Sequence, residues 1–220
     1  MPRPDAYLKS MSAQADLFEF EARSLPPGMR YWEDVLSEAQ EQSLVRYIER
    51  LPLKPFEFAG GFKGNRRVIS FGWRYDYSQQ SLIEASPIPK ELDDMRNASA
   101  LLVNRRPEDL RQALVTEYAP GAGIGWHRDK KMFSDVVGIS LLAPCIFRLR
   151  LKKGSSWDRI SLQAKRRSAY LLSGPSRTAW EHSIPPLDRL RYSITFRTLV
   201  KQFDIHNPAL VVALRGVRDR

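Results

Sequence analysis

A chain of 220 residues with 43% hydrophobic and 27% charged residues has an ordinary globular composition, and it is long enough to bury a substantial core. Its net charge of +10 suits a polyanionic partner such as nucleic acid, although a solvated basic surface would give the same count. No apolar run approaches the roughly 20 residues of a membrane span, and the only cysteine, Cys145, excludes an intramolecular disulfide. We expect Cys145 to be buried in its apolar stretch and the protein to be a cytoplasmic monomer with no membrane contact.

The N-terminal part of the chain predicts an arm followed by a helix. Residues 1–25 mix charged residues with Ala and Ser, and a Pro-Pro-Gly run at 26–28 marks the entry to the folded body. Between residues 32 and 51 apolar side chains recur at helical spacing, which predicts an amphipathic helix covering one face of a sheet. A single domain is expected over residues 26–200, followed by a basic tail at 201–220.

Residues 55–77 predict a strand, a Gly-rich basic loop and a second strand. Trp73 and Tyr75 share one face at period 2, and the basic residues Arg66 and Arg67 precede them. Aromatic rings beside cations are what base stacking with phosphate contacts requires. An aromatic core face beside a solvated turn would show the same pattern, and the residues alone leave both interpretations open.

The remainder of the chain predicts one more helix and a series of short strands. Residues 89–103 carry apolar positions at helical spacing. The strand predictions, separated by Gly and Pro turns, fall at 113–115, 136–142, 146–151, 159–162, 168–172 and 191–199. This pattern indicates a mainly β, α+β protein with flanking helices, built on a double-sheet jelly roll or a barrel.

A possible metal site follows the strand that ends near residue 118. After a Pro-Gly turn the chain reaches His127 and Asp129, whose side chains would point the same way in an extended segment. One imidazole and one carboxylate are two thirds of a 2-His-1-carboxylate iron site, although an H-x-D pair alone is a weak signal. Of the two remaining histidines, His182 lies in a strand-like segment and is the natural third ligand, while His206 lies beyond the strands and is expected on the surface.

The last strand carries an unusual polar face. Arg191, Ser193, Thr195 and Arg197 share it at period 2 within an otherwise apolar sheet. Burying guanidinium groups is costly unless an anion meets them, and a dicarboxylate such as 2-oxoglutarate would suit their fork geometry. Pairing of the arginines with protein carboxylates or with solvent would explain the pattern equally well.

Three segments in the order 116–129, 180–184 and 191–197 resemble motifs of the AlkB family, in which iron(II)- and 2-oxoglutarate-dependent dioxygenases remove alkyl groups from nucleic-acid bases. The resemblance covers residues 60–198. It implies a double-stranded β-helix (jelly roll) with an N-terminal helical and β-hairpin lid region at about 55–77, and Fe(2+), 2-oxoglutarate and O2 as cofactor and co-substrates.

The resemblance also implies roles for individual residues. The implied iron ligands are His127, Asp129 and His182. The implied 2-oxoglutarate pocket consists of Thr116, Tyr118, Arg191, Ser193 and Arg197. The residues implied or predicted to contact substrate are Trp73, Tyr75, Lys131, Arg66 and Arg67.

The implied activity is oxidative demethylation or dealkylation of N-alkylated bases in DNA, or in RNA, with release of an aldehyde, succinate and CO2. The alternatives are the same chemistry on tRNA, hydroxylation of a protein or small molecule, and a non-catalytic jelly-roll module that binds nucleic acid. Two positions depart from a well-known bacterial member, which has Asn where this chain has Thr116 and Ser193. Lys131 replaces the acidic residue that reads the amino group of the base, so the base preference stays open.

Overall fold

The structure is a computed structural model that describes residues 25–57 and 63–200. The predicted arm up to residue 24, the tip of the Gly-rich loop at 58–62 and the predicted basic tail with His206 lie outside the described residues.

The described residues form three α-helices and thirteen strands. The helices are α1 (Glu38–Ile48), α2 (Asp93–Leu102) and α3 (Pro175–Thr178). The strands are β1 (Met29–Trp32), β2 (Lys54–Glu57), β3 (Lys63–Phe71), β4 (Trp73–Asp76), β5 (Ser81–Glu84), β6 (Leu110–Tyr118), β7 (Ile124–His127), β8 (Phe133–Leu141), β9 (Cys145–Lys153), β10 (Ser156–Ala164), β11 (Ala169–Leu172), β12 (Glu181–Ile184) and β13 (Arg191–Leu199).

Two sheets face each other and enclose the interior of a jelly roll. The larger has the order β1-β11-β8-β13-β6-β3-β2, and the smaller has the order β10-β9-β12-β7. Tyr118 and Tyr170 of the larger sheet share a buried apolar cluster with Phe147 and Leu149 of the smaller. Cys145 belongs to this cluster, and burial raises the pKa of its thiol, which confirms the prediction of a buried cysteine. The prediction of a mainly β protein with flanking helices is also confirmed.

A second apolar cluster lies on the other face of the larger sheet. Leu44 and Ile48 of α1 and Met95 of α2 pack there against residues that include Val115 and Ile194. Both helices therefore cover the sheet, as their apolar periodicity predicted. None of the helices in the described part of the chain is long and apolar enough to cross a membrane.

The prediction of a helix over 32–51 is wrong in its first third. Residues 29–32 form β1, which pairs with β11 in the register Met29↔Leu172. Asp34 has a φ of 49°, a left-handed conformation that a helix cannot continue through. The helix begins only after Ser37, whose hydroxyl accepts from the Gln40 backbone N–H while the Gln40 side chain accepts from the Ser37 N–H.

The second of the two strands predicted within residues 55–77 is broken at Gly72. This residue has a φ of 73°, and a Cβ added there would lie 2.2 Å from the Arg111 carbonyl oxygen, so only glycine fits. Beyond the break, β4 leaves the larger sheet and pairs with β5 as a separate two-stranded hairpin. The predicted lid region at about 55–77 thus contains most of β2, all of β3 and the first strand of this hairpin.

Candidate functional site

The two histidines proposed as iron ligands are cross-strand partners. His127 on β7 is paired with His182 on β12, and the centroids of their imidazole rings are 4.3 Å apart. The register then shifts, because the next pair is Ile184 with Ile124 and the extra residue lies on β7. Phe147 from β9 stacks on the His182 ring at 5.3 Å, which fixes the buried imidazole in place. Residues 55 positions apart therefore meet because the smaller sheet places their strands side by side.

Asp129 completes the group from the loop that follows β7. Its Oδ2 lies 3.9 Å from His182 Nε2. Its Oδ1 accepts a hydrogen bond of 2.9 Å from Arg197 Nη2. One carboxylate oxygen is therefore held by the protein while the other faces the histidines.

The protonation states of these side chains suit metal binding, because ligands must be deprotonated. Burial, with a contribution from the neighbouring His127, lowers the pKa of His182 to about 3. Burial also lowers the pKa of His127. Burial alone would raise the pKa of Asp129, but the positive charge of Arg197 and the nearby histidines outweigh it, and the net pKa lies well below its usual value.

The hydrogen bonding of His127 selects its tautomer. His127 Nδ1 lies 2.9 Å from the Gly125 carbonyl oxygen, which can only accept. The proton of the neutral ring therefore sits on Nδ1, and the Nε2 lone pair is available to a metal. Two neutral imidazoles and one carboxylate are the donor set of a ferrous site with open positions. Within the described residues, however, no three His, Cys, Asp or Glu side chains are close enough to form a preassembled metal site.

Arg191 provides the strongest indication of an anion beside this group. Its side chain is 1% exposed, and its Nε donates to Ser140 Oγ at 3.1 Å. Its Nη1 is buried and has no hydrogen-bond partner among the described residues. Buried donors are rarely left unpaired, and a carboxylate would satisfy this one. The predicted alternative, pairing of Arg191 with a protein carboxylate, is not what the structure shows.

The other residues predicted to contact 2-oxoglutarate lie around Arg191 on the inner face of the larger sheet. Arg191 is the register partner of Tyr118, and its guanidinium carbon lies 5.1 Å from the Tyr118 ring centroid. Thr116 and Ser193 face each other one step along the same two strands, and both are buried. These four side chains therefore form one polar patch that could hold a carboxylate.

Arg197 has a different environment from the one the resemblance implies. It donates to Asp129 and, from Nη1, to Gln112 Oε1 at 3.1 Å. Arg197 therefore matches the alternative in which an arginine pairs with a protein carboxylate. Sequence reasoning missed Gln112, although it lies on β6 in phase with Thr116 and could have been found by period 2.

The residues predicted to contact substrate lie in four different places: on β4, on each of the two faces of β3, and in the loop after β7. Trp73 and Tyr75 lie on β4, where the Trp73 carbonyl accepts from Gln112 Nε2 at 2.8 Å. Arg66 is buried in register with Tyr118, and its guanidinium carbon lies 4.5 Å from the Phe56 ring. Trp73 thus contacts the residue that pairs with Arg197, and Arg66 lies beside a residue of the predicted 2-oxoglutarate pocket.

Arg67 lies on the opposite face of the larger sheet. Its Nε and Nη2 donate to the two carboxylate oxygens of Glu117, each at 2.7 Å. Glu117 also accepts a hydrogen bond from the Tyr192 hydroxyl at 3.3 Å. Arg67 is therefore directed away from the histidine pair, and its predicted contact with substrate receives no support from this placement.

The two lysines after Asp129 differ in their surroundings. Lys131, the residue predicted to select the base, is exposed. Its neighbour Lys130 places Nζ 4.5 Å from the Tyr75 ring centroid and 4.7 Å from that of Tyr77. Sequence reasoning missed Lys130 because the chain leaves its extended conformation after His127, so period 2 no longer applies.

Arg177 on α3 secures the loop that carries these lysines. It is buried, and its Nη2 donates to the Phe133 carbonyl at 2.9 Å and to the Lys130 carbonyl. Burial lowers the pKa of Arg177. No pattern in the sequence marked this residue, because its partners are backbone atoms.

Comparison with known proteins identifies the family of this chain. The family model of the 2OG-Fe(II) oxygenase superfamily matches residues 28–197. Mouse (Mus musculus) tRNA (carboxymethyluridine(34)-5-O)-methyltransferase ALKBH8 is 26% identical over 210 residues, which cover 89% of this chain and 30% of ALKBH8. Uncharacterized protein L905 of Acanthamoeba polyphaga mimivirus is 31% identical over 192 residues, 80% of this chain and 86% of L905. The Alkylated DNA repair protein ALKBH8 homolog of Arabidopsis thaliana is 27% identical over 204 residues, 78% of this chain and 55% of that protein.

Solved structures show the same fold. OsALKBH1 aligns with a TM-score of 0.58 at 19% identity, covering 79% of this chain and 98% of that one. A Pseudomonas putida prolyl-4-hydroxylase aligns with a TM-score of 0.56 at 15% identity, covering 79% and 93%. The family match spans most of the chain, and the curated relatives confirm the resemblance drawn from the three motifs. The chain belongs to the 2OG-Fe(II) oxygenase superfamily and is an AlkB-like member of it.

Proposed function

We propose that this chain oxidatively removes N-alkyl groups from bases of nucleic acid, with DNA as the predicted substrate. The observation that carries the proposal is the placement of two neutral imidazoles and a carboxylate beside a buried guanidinium with an unpaired donor. A non-catalytic module has no need of such a costly arrangement, because the buried Arg191 nitrogen destabilises the fold until an anion meets it.

Each residue of the site would have a distinct task. His127, His182 and Asp129 would hold Fe(2+), and bound iron with 2-oxoglutarate and O2 supplies the oxidation of the alkyl carbon. Arg191 would bind a carboxylate of 2-oxoglutarate, supported by Tyr118 and the hydroxyls of Thr116 and Ser193. Arg197 keeps the Asp129 carboxyl ionised and oriented through its hydrogen bond to Oδ1.

The lid side of the site supports a nucleic-acid substrate. Tyr75 and Tyr77 meet edge to face with ring centroids 4.9 Å apart, and Lys130 lies over both. Aromatic faces beside a cation can stack a base that has been flipped from its helix while contacting its phosphate. The net charge of +10 would strengthen attraction to the backbone.

The same chemistry on tRNA is the second candidate. It is favoured by the mouse relative, whose name describes a tRNA enzyme, while the name of the Arabidopsis relative describes repair of alkylated DNA. Each of these relatives is longer than the matched region, so activities that reside elsewhere in them need not apply to this chain.

Succinate release distinguishes these possibilities. The protein is loaded with Fe(2+) and 2-oxoglutarate without oxygen, then exposed to oxygen with methylated DNA oligomers, methylated RNA oligomers of the same sequence, or tRNA. The expected result is succinate and aldehyde in equal amounts, stimulated by methylated nucleic acid and not by unmethylated controls. Iron binding and succinate release that no nucleic acid stimulates would reject the substrate class, while absence of both would reject the enzyme.

A further inference from the structure

A surface separate from the site described above lies on the outer face of the smaller sheet. Because successive side chains of a strand alternate, the neighbours of the inward-facing His127 and His182 point away from the interior. These neighbours are Trp126 and Glu181, and Arg150 on β9 is the register partner of Glu181. The strands that hold the histidines thus present a second set of side chains on their other face.

The centre of this surface is an arginine stacked between two tryptophans. The guanidinium carbon of Arg150 lies 4.4 Å from the Trp126 ring centroid and 4.1 Å from that of Trp157. Glu181 Oε2 fixes the guanidinium: it accepts a hydrogen bond of 2.7 Å from Arg150 Nε and lies 2.7 Å from Nη2 in the same ion pair. Both indoles are partly exposed, and a second cation lies over each ring: Arg148 is 5.1 Å from the Trp126 centroid and Lys152 is 5.7 Å from that of Trp157.

Further cations surround the stack. Arg148 and Lys152 flank Arg150 on the same face of β9, and Arg159 is the register partner of Arg150 on β10. Lys152 and Arg159 are exposed. Of the outward-facing described residues on the four strands, only Glu181 is acidic, and Arg150 already neutralises it. The surface therefore has a surplus of positive charge.

We propose that this surface, the Trp-Arg face, binds a single-stranded segment of nucleic acid outside the catalytic pocket. It is defined by residues Trp126, Arg148, Arg150, Lys152, Trp157 and Arg159. Phosphates would contact the cations, and a base would stack on the exposed part of an indole. An acidic peptide would use the cations alone, whereas a nucleic-acid strand uses both the cations and the two fixed rings.

The position of the Trp-Arg face relates it to the proposed function, on which this inference rests. Trp126 directly precedes His127, and β7 is the last strand of the smaller sheet in the described residues. A strand that crosses β7 could therefore lie on the Trp-Arg face while one of its bases enters the pocket on the inner side. Such contacts would add affinity for long substrates without taking part in oxidation.

Two variants and one matched control test the inference. Lys152→Glu with Arg159→Glu reverses two exposed charges on the Trp-Arg face, and Trp157→Ala removes one stacking ring. Arg46→Glu with Lys90→Glu makes the same change in net charge on the helical side of the molecule. Binding of an unmethylated single-stranded oligomer of about 12 nucleotides is measured by fluorescence anisotropy at several salt concentrations.

The expected results differ between the variants. The charge reversal should weaken binding at least tenfold and lower the salt slope by about 0.7 for each phosphate that the variant no longer neutralises. Trp157→Ala should weaken binding by about tenfold without changing the salt slope, because base stacking is not an ionic interaction. The control should bind nearly as wild type, and all variants should still oxidise a methylated dinucleotide, which is too short to reach the outer face.

Equal affinity of wild type and the face variants would overturn the inference, as would an equal reduction of affinity in the control. Wild type that binds acidic peptide or anionic vesicles but no oligomer would also overturn it. Failure of the proposed function gives a different result: the face variants lose oligomer binding, yet no methylated nucleic acid stimulates succinate release by the wild type.

Discussion

Arg197 and Asp129 form a nearly buried ion pair in which Nη2 donates to Oδ1 at 2.9 Å. The same guanidinium donates to Gln112, whose Nε2 donates to the carbonyl oxygen of Trp73 at 2.8 Å. A continuous chain of hydrogen bonds thus connects the first residue of the β4–β5 hairpin to the carboxylate proposed to bind iron. The position of the hairpin and the orientation of that carboxylate are therefore linked through the side chains of Gln112 and Arg197.

Replacing Arg197 with Met should weaken metal binding by about 10- to 100-fold, the usual cost of losing a residue that orients a ligand. Asp129 would lose its hydrogen-bond donor. Its pKa would rise, because the positive charge of Arg197 is the largest of the effects that lower it. The measurement is anaerobic titration with Co(2+) followed by its absorption spectrum. Gln112→Leu, which leaves the bond to Asp129 in place, should weaken metal binding less, and unchanged affinity in Arg197→Met would contradict this role.

Arg191→Met should raise the KM for 2-oxoglutarate by roughly 10- to 150-fold, the equivalent of one charge-assisted hydrogen bond. The variant without ligand should unfold at the same temperature as wild type or a higher one, because a buried donor without a partner has been removed. Thermal unfolding with and without 2-oxoglutarate provides the second measurement. Ser140→Ala retains the guanidinium charge and should change the KM less, and an unchanged KM in Arg191→Met would disprove the assignment.

His127→Ala should abolish turnover, because one of three proposed ligands is lost and its cross-strand partner cannot replace it. Turnover is followed by succinate release and metal content by elemental analysis after dialysis. His206→Ala is the control, since the sequence predicts a surface position for that histidine. Retained turnover in His127→Ala, or its loss in His206→Ala, would show that the ligands have been assigned incorrectly.

The two lysines that follow Asp129 should differ in their effect on substrate use. Lys130→Ala should raise the KM for methylated oligomers about fivefold or more, because one cation over Tyr75 and Tyr77 contributes roughly 1 kcal/mol. Lys131→Asp tests the prediction from the sequence that this position selects among alkylated bases. Relative rates on oligomers that carry different methylated bases provide the measurement, and an unchanged ranking would remove Lys131 from the pocket.

Gly138→Ala should destabilise the fold by about 1–3 kcal/mol through overpacking. A Cβ at this position would lie 2.2 Å from Cζ of Tyr170, whose ring packs on Phe147 at 4.6 Å beneath the site. Urea unfolding measures the loss. Gly125→Ala is the matched control because no atom lies within 4 Å of its added Cβ. Equal stability of the two variants would show that Tyr170 moves aside without cost.

The strands and their inward faces could be read from the sequence because alternation is a local property. Arg191, Ser193 and Arg197 share a buried face as period 2 predicted. Periodicity could not predict that His127 lies next to His182, since this depends on which strands are neighbours in the smaller sheet. Recognition of the three motifs supplied that relationship.

The errors arose where the backbone leaves regular geometry. Asp34 and Gly72 adopt left-handed conformations, so the predicted helix starts late and the predicted strand divides in two. The same limit explains why Lys130, which follows the end of β7, was missed. The ion pair of Arg67 could not be predicted from local sequence either, because its partner Glu117 lies 50 positions away on a neighbouring strand.

The location of His127 has a consequence for how firmly the site is held. It lies on β7, a strand of four residues that in the described sheet pairs only with β12. Short edge strands open locally at low free-energy cost. An ion bound by both His127 and His182 would join this strand to its neighbour, so amide hydrogens of Ile124–His127 should exchange more slowly once metal is added. The ion would then crosslink the edge strand β7 to β12. Loss of the metal and local opening of this edge of the smaller sheet would occur together.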